Sequence, residues 1–349
     1  MIDFTLGDDA RMLLDAVERF GRDHLLPNAR SAEADRRPDP RTVRLYEDLG
    51  LMALEAPGEG LGLEERCLVN ESLGRADPGA ALSLDRLGPA GYAFWACGDA
   101  ESAAEIVADP SRRAWLAIPE DGMVNVTERT ATGTVHFAPA GVTDLVMLTP
   151  TGIAVVQAGL HETAVRGGGL RAAAPVRLTL EGAPVERFHR RATEPVLARA
   201  RLYLASLLLG VLDAAATYAR DYARERITFG RPIAHHQAMT FLLTDMNTAV
   251  CGTRLLIQEA AWRLDRGDQE EEPAAEAAAA AFAEAVEQSA FVGPNGVQVL
   301  GGVGFMQDYP VEKHMREARA LGLLYGGTDL ARTHAMQSRK TTLMAGGLI

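Results

Sequence analysis

The chain has 349 residues, 47% of them hydrophobic and 23% charged, with a net charge of −12 and a pI near 5.2. That length and apolar content suffice for a large core in two or three domains. The acidic excess repels a phosphate backbone and argues against nucleic acid as a partner, although a local arginine cluster can still hold a nucleotide cofactor. Only two of the 35 basic residues are lysines, Lys313 and Lys340, which leaves few candidates for Schiff-base chemistry. Cys67, Cys97 and Cys251 are isolated and odd in number, with no metal-binding or disulfide spacing, so a reducing cytoplasm is expected and no metal site.

Met1-Ile2-Asp3-Phe4 shows no basic segment followed by an apolar one, so no signal peptide is expected. Residues 1 to 112 read as a helical domain. Apolar residues at 13, 14, 17 and 20 follow Asp8-Asp9 and form a helical stripe after an acidic start. A further helix fits Glu64 to Leu73, after a loop at Gly58-Glu59-Gly60-Leu61-Gly62. From 113 to 190 the character changes. Thr134-Val135-His136-Phe137, Leu145-Val146-Met147-Leu148, Ile153-Ala154-Val155-Val156 and Val176-Arg177-Leu178-Thr179-Leu180 are short runs bounded by Gly, Pro and Thr. They predict five or six strands in a small antiparallel sheet or barrel. Gly167-Gly168-Gly169 reads as a hairpin or linker within that domain.

Residues 191 to 349 read as a helical bundle of four-helix type. One long helix spans about 197 to 228 and contains the longest apolar run, Leu202 to Leu212, too short to cross a bilayer; no membrane is expected as a partner. A second helix covers about 235 to 266. After an acidic loop, Asp268 to Glu272, Pro273 opens an Ala-rich third helix, which Gly293-Pro294 should stop. Further helices are expected at 310–320 and 329–344. The fold class is thus α+β in the order helices, strands, helices.

Other chemistries are poorly served. His235-His236 are adjacent and point about a hundred degrees apart on a helix, a structural or surface pair; there is no HExxH, no GxSxG elbow and no Walker A loop.

Two segments carry a specific resemblance. Tyr222-Ala223-Arg224-Glu225-Arg226-Ile227-Thr228-Phe229-Gly230-Arg231-Pro232-Ile233, with Gln237, resembles the acyl-CoA dehydrogenase signature Y-A-x-E-R-x-x-F-G-x-P-I-x-x-x-Q. Gln298-Val299-Leu300-Gly301-Gly302-Val303-Gly304-Phe305, Tyr309-Pro310-Val311-Glu312-Lys313 and Arg316-Glu317-Ala318-Arg319 resemble the same family's second signature, in the family's order and spacing. The resemblance implies an acyl-CoA dehydrogenase-like fold: an N-terminal helical domain, a middle β-domain and a C-terminal four-helix bundle. It also implies FAD as cofactor and an acyl-CoA or acyl-carrier thioester as substrate, in a homo- or hetero-oligomer (dimer or tetramer). By position, Arg226 would pair with the pyrophosphate through its planar fork, and Phe229 would pack on the cofactor. Gln237, Gln298 and Thr328 would sit near it, and Gly301 and Gly302 would let backbone approach it closely.

The resemblance lapses where the family places its base. Against the family's R-[IV]-Y-E-G-T, this chain reads Leu323-Leu324-Tyr325-Gly326-Gly327-Thr328-Asp329, so Tyr325 or Gly326 stands at the expected glutamate. The alternative family position, on the long helix, falls on Ala200, between Arg199 and Arg201. Asp329 is the nearest acid in sequence and a weak candidate. The family's flavin-contacting loop T-E-P-x-A-G-S-D is reduced to Pro119-Glu120-Asp121-Gly122, and its W-[IV]-[TS]-N strand is replaced near Val135-His136-Phe137-Ala138. The contacts a subunit makes to its own flavin are therefore eroded, while those it lends to a neighbour's are kept. This asymmetry points first to a base-less subunit of a hetero-oligomeric dehydrogenase, whose FAD site is shared with a partner. A homomeric flavin enzyme with a relocated base and a non-enzymatic thioester-binding or assembly protein are the alternatives.

Overall fold

The computed structural model describes residues 6–56, 61–266 and 271–336. Most of the expected loops at 58–62 and 268–272, and the last expected helix beyond residue 336, lie outside the described residues. Helices come first: α1 (Asp8–Phe20), α2 (Ala29–Asp35), α3 (Pro40–Asp48), α4 (Leu63–Ala76), α5 (Pro78–Leu84), α6 (Ala90–Ala96) and α7 (Ala100–Ala108). Their starts follow from local chemistry. The Asp39 carboxylate accepts the amide N–H of Arg41 (2.9 Å) and Thr42 (3.1 Å), with Pro40 in the first turn. Asp77 does the same for Gly79 (3.0 Å) and Ala80 (3.1 Å) ahead of Pro78.

The middle of the chain contains β1 (Ala114–Ala117), β2 (Gly122–Val126), β3 (Thr130–Ala138), β4 (Asp144–Thr149), β5 (Gly152–Val156), β6 (Leu160–Ala164), β7 (Val176–Pro184) and β8 (Arg187–His189). This corrects the expectation of five or six strands in a small antiparallel sheet or barrel. Eight strands form two four-stranded sheets, ordered β1-β4-β5-β8 and β2-β3-β7-β6, and β1 pairs with β4 in parallel, Ala114 opposite Asp144. The cause is burial on both faces. β1, β4 and β5 are buried at every position, so they show no alternation, and the four-residue β1 leaves almost no periodic signal. Gly167 to Gly169 form a linker; a Cβ on Gly169 would strike the carbonyl of Arg316.

The C-terminal helices are α8 (Glu194–Glu225), α9 (Gln237–Asp265), α10 (Glu271–Leu300), α11 (Val311–Leu321) and α12 (Gly327–Ala335); a short hairpin, β9 (Ile227–Thr228) and β10 (Arg231–Pro232), joins α8 to α9. α8 is long and apolar enough to cross a membrane by length and composition, but 78% of its most apolar window is buried inside the protein. It is packed by α4, α9, α10 and α11. Gly293-Pro294 does not stop the third helix, contrary to the sequence expectation: α10 runs through both to Leu300. Gly293 lies against Met315 of α11, where a Cβ would come within 3.3 Å of its Cα, and the Asn295 amide caps the carbonyl of Phe291 at 2.8 Å. Packing against α11 thus overrides the local cost of the proline.

α11 ties the helical layers together. Lys313, 5% exposed, donates to Asp77 of α5 (3.0 Å) and to Glu317 (2.9 Å). One oxygen of each carboxylate has no partner among the described residues. Burial, ahead of any other cause, holds the Glu317 carboxyl above the usual range. Nearby, Arg316 bridges Glu312 (2.7 Å) and Glu33 of α2 (2.7 Å). The Tyr-Pro-Val-Glu-Lys…Arg-Glu-Ala-Arg segment is therefore an interdomain clamp. Replacing Lys313 by Met strands two buried carboxylates; the expected loss is about 3–5 kcal/mol of stability, read as a lower urea midpoint with an unchanged slope.

Candidate functional site

Two separate places collect the residues singled out by sequence. The first is an open cleft of about 630 Å³ at the C-terminal end of α8, lined by Arg226, Gln298, Gly301, Gly302, Val303 and Tyr309 among others. The fold joins two segments some seventy residues apart, because α8 and α10 pack along their lengths and end side by side. Arg226 follows the last turn of α8 and is exposed; its side chain has no hydrogen bond or ion pair among the described residues. Gln298 is exposed beside it. Gly301 has φ +65°, a conformation that favours glycine, and no atom approaches within 4 Å of where a Cβ on Gly301 or Gly302 would stand. An unpaired guanidinium, a free amide and an open glycine backbone suit a multiply charged oxyanion such as a pyrophosphate.

Phe229, Gln237 and Thr328 do not line this cleft. Phe229 is 90% exposed at the tip of the β9–β10 hairpin, with φ +55°, and meets His236 edge-on at 6.2 Å. His236 steadies the same hairpin: its ring nitrogens lie 3.3 Å from the carbonyl of Thr228 and 3.2 Å from Arg231 Nη2. Gln237 is exposed at the start of α9, and Thr328 is half-buried in the first turn of α12.

The second place is the turn from α11 into α12, where the resemblance puts the catalytic glutamate. Tyr325, Gly326 and Gly327 take φ values of +51°, +77° and +60° in succession. Tyr325 is 1% exposed, and its hydroxyl has no hydrogen-bond partner among the described residues. Burial, reinforced by the charges of Asp121 and Asp85, raises its phenol well above the ordinary value, so it stays neutral and cannot serve as a base. Gly326 has no side chain, and a Cβ there would meet Leu330 at 2.5 Å. Ala200 is fully buried. Asp329 faces solvent in the first turn of α12, away from the buried side of this turn.

Sequence reading passed over the residue that organises the turn. Asp121 lies between β1 and β2, in the shortened Pro119–Gly122 loop. Its carboxylate accepts the amide N–H of Gly326 (3.2 Å) on one oxygen and that of Ile118 (3.0 Å) on the other. The left-handed turn presents the Gly326 N–H to Asp121, which ties the β1–β2 loop to the α11–α12 turn. Burial pushes its pKa up to about 6 against the pull of those amides. Arg201 of α8, 2% exposed, is the other residue passed over: Nη1 lies 3.0 Å from His334 Nδ1 of α12, and burial lowers its pKa to about 10. The only signal for either in the sequence was adjacency, Asp121 to the eroded loop and Arg201 to Ala200.

Helices enclose a twin-sheet middle domain, and one cleft is built from both signatures. The acyl-CoA dehydrogenase C-terminal domain matches residues 179–338 and the N-terminal domain residues 7–109. Acyl-CoA dehydrogenase of Bacillus subtilis (strain 168) is 37% identical over 132 residues, 38% of this chain and 34% of that protein, so the matched stretch spans about a third of the relative's length. Benzylmalonyl-CoA dehydrogenase of Aromatoleum aromaticum is 26% identical over 94% of this chain and 97% of its own length. The ChsE4–ChsE5 complex from Mycobacterium tuberculosis superposes with a TM-score of 0.80 at 26% identity, covering 99% of both chains. The chain belongs to the acyl-CoA dehydrogenase family, and FAD is that family's cofactor.

The Asp121 carboxyl makes a testable statement about pH. Asp121 has a folded-state pKa above the ordinary carboxylate value near 4, so the folded protein holds this proton more tightly than the unfolded chain. Its contribution to stability is full below about pH 4 and declines as the pH rises through 6. Asp121→Asn is expected to flatten that slope by up to about 2 kcal/mol, measured as the pH profile of the unfolding free energy in wild type and variant.

Proposed function

We propose that this chain is the supporting subunit of a hetero-oligomeric acyl-CoA dehydrogenase, which completes the FAD site of a glutamate-bearing partner and removes no proton itself. One observation carries the reading. Among the described residues, the only carboxylate in hydrogen-bonding contact with the turn to which the resemblance gives the base is Asp121, and backbone amides engage both of its oxygens, while the Arg226–Gln298–Gly302 cleft stands open and unpaired. The family's chemistry needs both halves: a carboxylate to take the α-proton of the thioester, and a held flavin. FAD, when bound, supplies the hydride acceptor. Arg226 would clamp its pyrophosphate bidentately, Gln298 would donate an amide N–H, and the backbone at Gly301-Gly302 would let that group come close. The partner supplies the base. The ChsE4–ChsE5 complex is by its name an assembly of two different chains, which supports the comparison.

A second reading rests on the same carboxyl. With a pKa of about 6 beside the expected base position, Asp121 would be the relocated base of a homomeric flavin enzyme, acting on an acyl-CoA or acyl-carrier thioester.

Expression of the chain alone and with a glutamate-bearing partner separates the two. The subunit reading expects little flavin in the isolated chain and a full complement in the mixed complex. It also expects Arg226→Met in this chain alone to raise the complex's FAD dissociation constant about tenfold or more, with activity restored by excess FAD. One FAD per chain in an active homo-oligomer, silenced by Asp121→Asn, would replace it with the second reading.

A further inference from the structure

α12 is held in place by little. It has nine residues, and Ala331 is the one residue in it that is buried. A helix of that length is marginal by itself, and one buried alanine adds little apolar stabilisation. It lies along α10, where Arg332 pairs with Glu287, but that ion pair is exposed and contributes little. Two other polar contacts tie its ends to the rest of the chain. At its start Gly326 donates its N–H to Asp121 at 3.2 Å, and in its last turn His334 Nδ1 lies 3.0 Å from Arg201 Nη1 of α8.

The second contact dictates a protonation state. A guanidinium has donors and no acceptor, so Nδ1 accepts and its lone pair is free. The ring is therefore neutral, with its proton on Nε2. A proton added at Nδ1 removes the acceptor and sets an imidazolium against a guanidinium that is 2% exposed. Glu120 of the β1–β2 loop and Glu194 at the start of α8 favour that proton. Burial and then the Arg201 charge oppose it and prevail, holding the imidazole below its usual value of 6.5. Asp121, the first countercharge of Arg201, is itself bonded to Ile118 and Gly326, and Glu287 on the α10 side is paired with Arg332.

A hinge precedes the helix: Tyr325, Gly326 and Gly327 are all left-handed, and two of the three are glycines, which change backbone conformation at low cost. We propose that α12 is a pH-released strap: neutral His334 fastens it to Arg201 of α8, and protonation of that ring frees it to swing about the turn at Tyr325–Gly327. Once the ring withdraws, water can reach the guanidinium and supply the acceptors that Nε and Nη2 lack among the described residues. The folded chain holds the His334 proton less tightly than the unfolded chain. The strap's contribution to stability is thus present in full above about pH 6.5 and is lost as the pH falls through the lowered folded value. Asp121 has the opposite slope, so its titration does not imitate release of the strap.

The test is amide hydrogen exchange of the full chain from about pH 8 to about pH 4.5, corrected for the intrinsic pH dependence of exchange. Protection of α12 is expected to fall about tenfold or more toward acid, while α8 and α10 keep theirs. His334→Gln retains an acceptor that does not titrate and should keep α12 protected throughout. His334→Lys carries its charge at every pH of the range and should leave α12 unprotected even at the alkaline end. If either variant fails to fold, the wild-type chain still decides: the His334 ring, followed by NMR, should titrate below 6.5 and with the same midpoint as α12 exchange. Protection of α12 that ignores pH, an acid loss that persists in the Gln variant, or an equal loss in α8 and α10 would overturn the proposal. None of these readouts involves flavin or a partner chain, so the subunit reading stands or falls separately.

Discussion

The crossing of α4 over α8 is the contact on which the remaining architecture depends. A Cβ on Gly74 would overlap the carbonyl of Leu207, and one on Gly210 would overlap that of Glu71; each helix places a glycine against the other's backbone. Only at that separation can a helix as apolar as α8 be enclosed by the N-terminal helices on one side and by α9, α10 and α11 on the other. Charges then fix the rotation. Arg75 of α4 pairs with Asp213 of α8, and Arg254 of α9 bonds Glu71 of α4 at 2.6 Å. A bulkier residue at either glycine would push the domains apart and misplace both ends of α8, where the two candidate sites lie.

Those two sites share a helix but not an environment. Arg226 stands in solvent, where one charge is screened and gains little until a second group locks the geometry; its use lies in joining Gln298 and the glycine backbone around a multiply charged ligand. Arg201 is held in a dry interior, where each unmade hydrogen bond is expensive and each one formed is strong. The first arrangement suits a cofactor shared across a subunit boundary.

What the sequence made legible follows the same division. Tyr222–Gln237 and Gln298–Arg319 were readable through their resemblance to the family's signatures, and the structure places them at a helix end, a tight hairpin at Phe229-Gly230 and a left-handed glycine at 301. The ends of α9 were readable to within two residues, whereas α8 begins and ends three residues before the expected 197 and 228, its expected last residues Ile227 and Thr228 forming β9 instead. Gly293-Pro294 misled because only contact with Met315 shows why a helix keeps a glycine there. The parallel pairing of β1 with β4 was illegible, since four buried residues carry no period. Asp121 and Arg201 were illegible for a different reason. Their roles arise from contacts across 205 and 133 residues of chain, and local propensity carries no information about such contacts.

The turn at Tyr325–Gly327 also bears on the reading that this chain carries no base of its own. A single lost side chain would leave a gap of its size, with the backbone unchanged and the site open to reversion. Here the backbone, the neighbours and the electrostatics all bear on the same turn. Tyrosine is held at a positive φ that L-residues adopt at a cost of about 1–2 kcal/mol. Leu330 closes over Gly326, so a side chain there needs both a strained φ and a displaced leucine. Asp121 occupies the Gly326 amide of the turn, and its charge would repel a second carboxylate placed beside it. A glutamate at 325 or 326 would therefore enter a site already filled with protein and already carrying a negative charge. On the subunit reading this is a turn rebuilt around other contacts, beside which Arg201 keeps His334 as its hydrogen-bond partner.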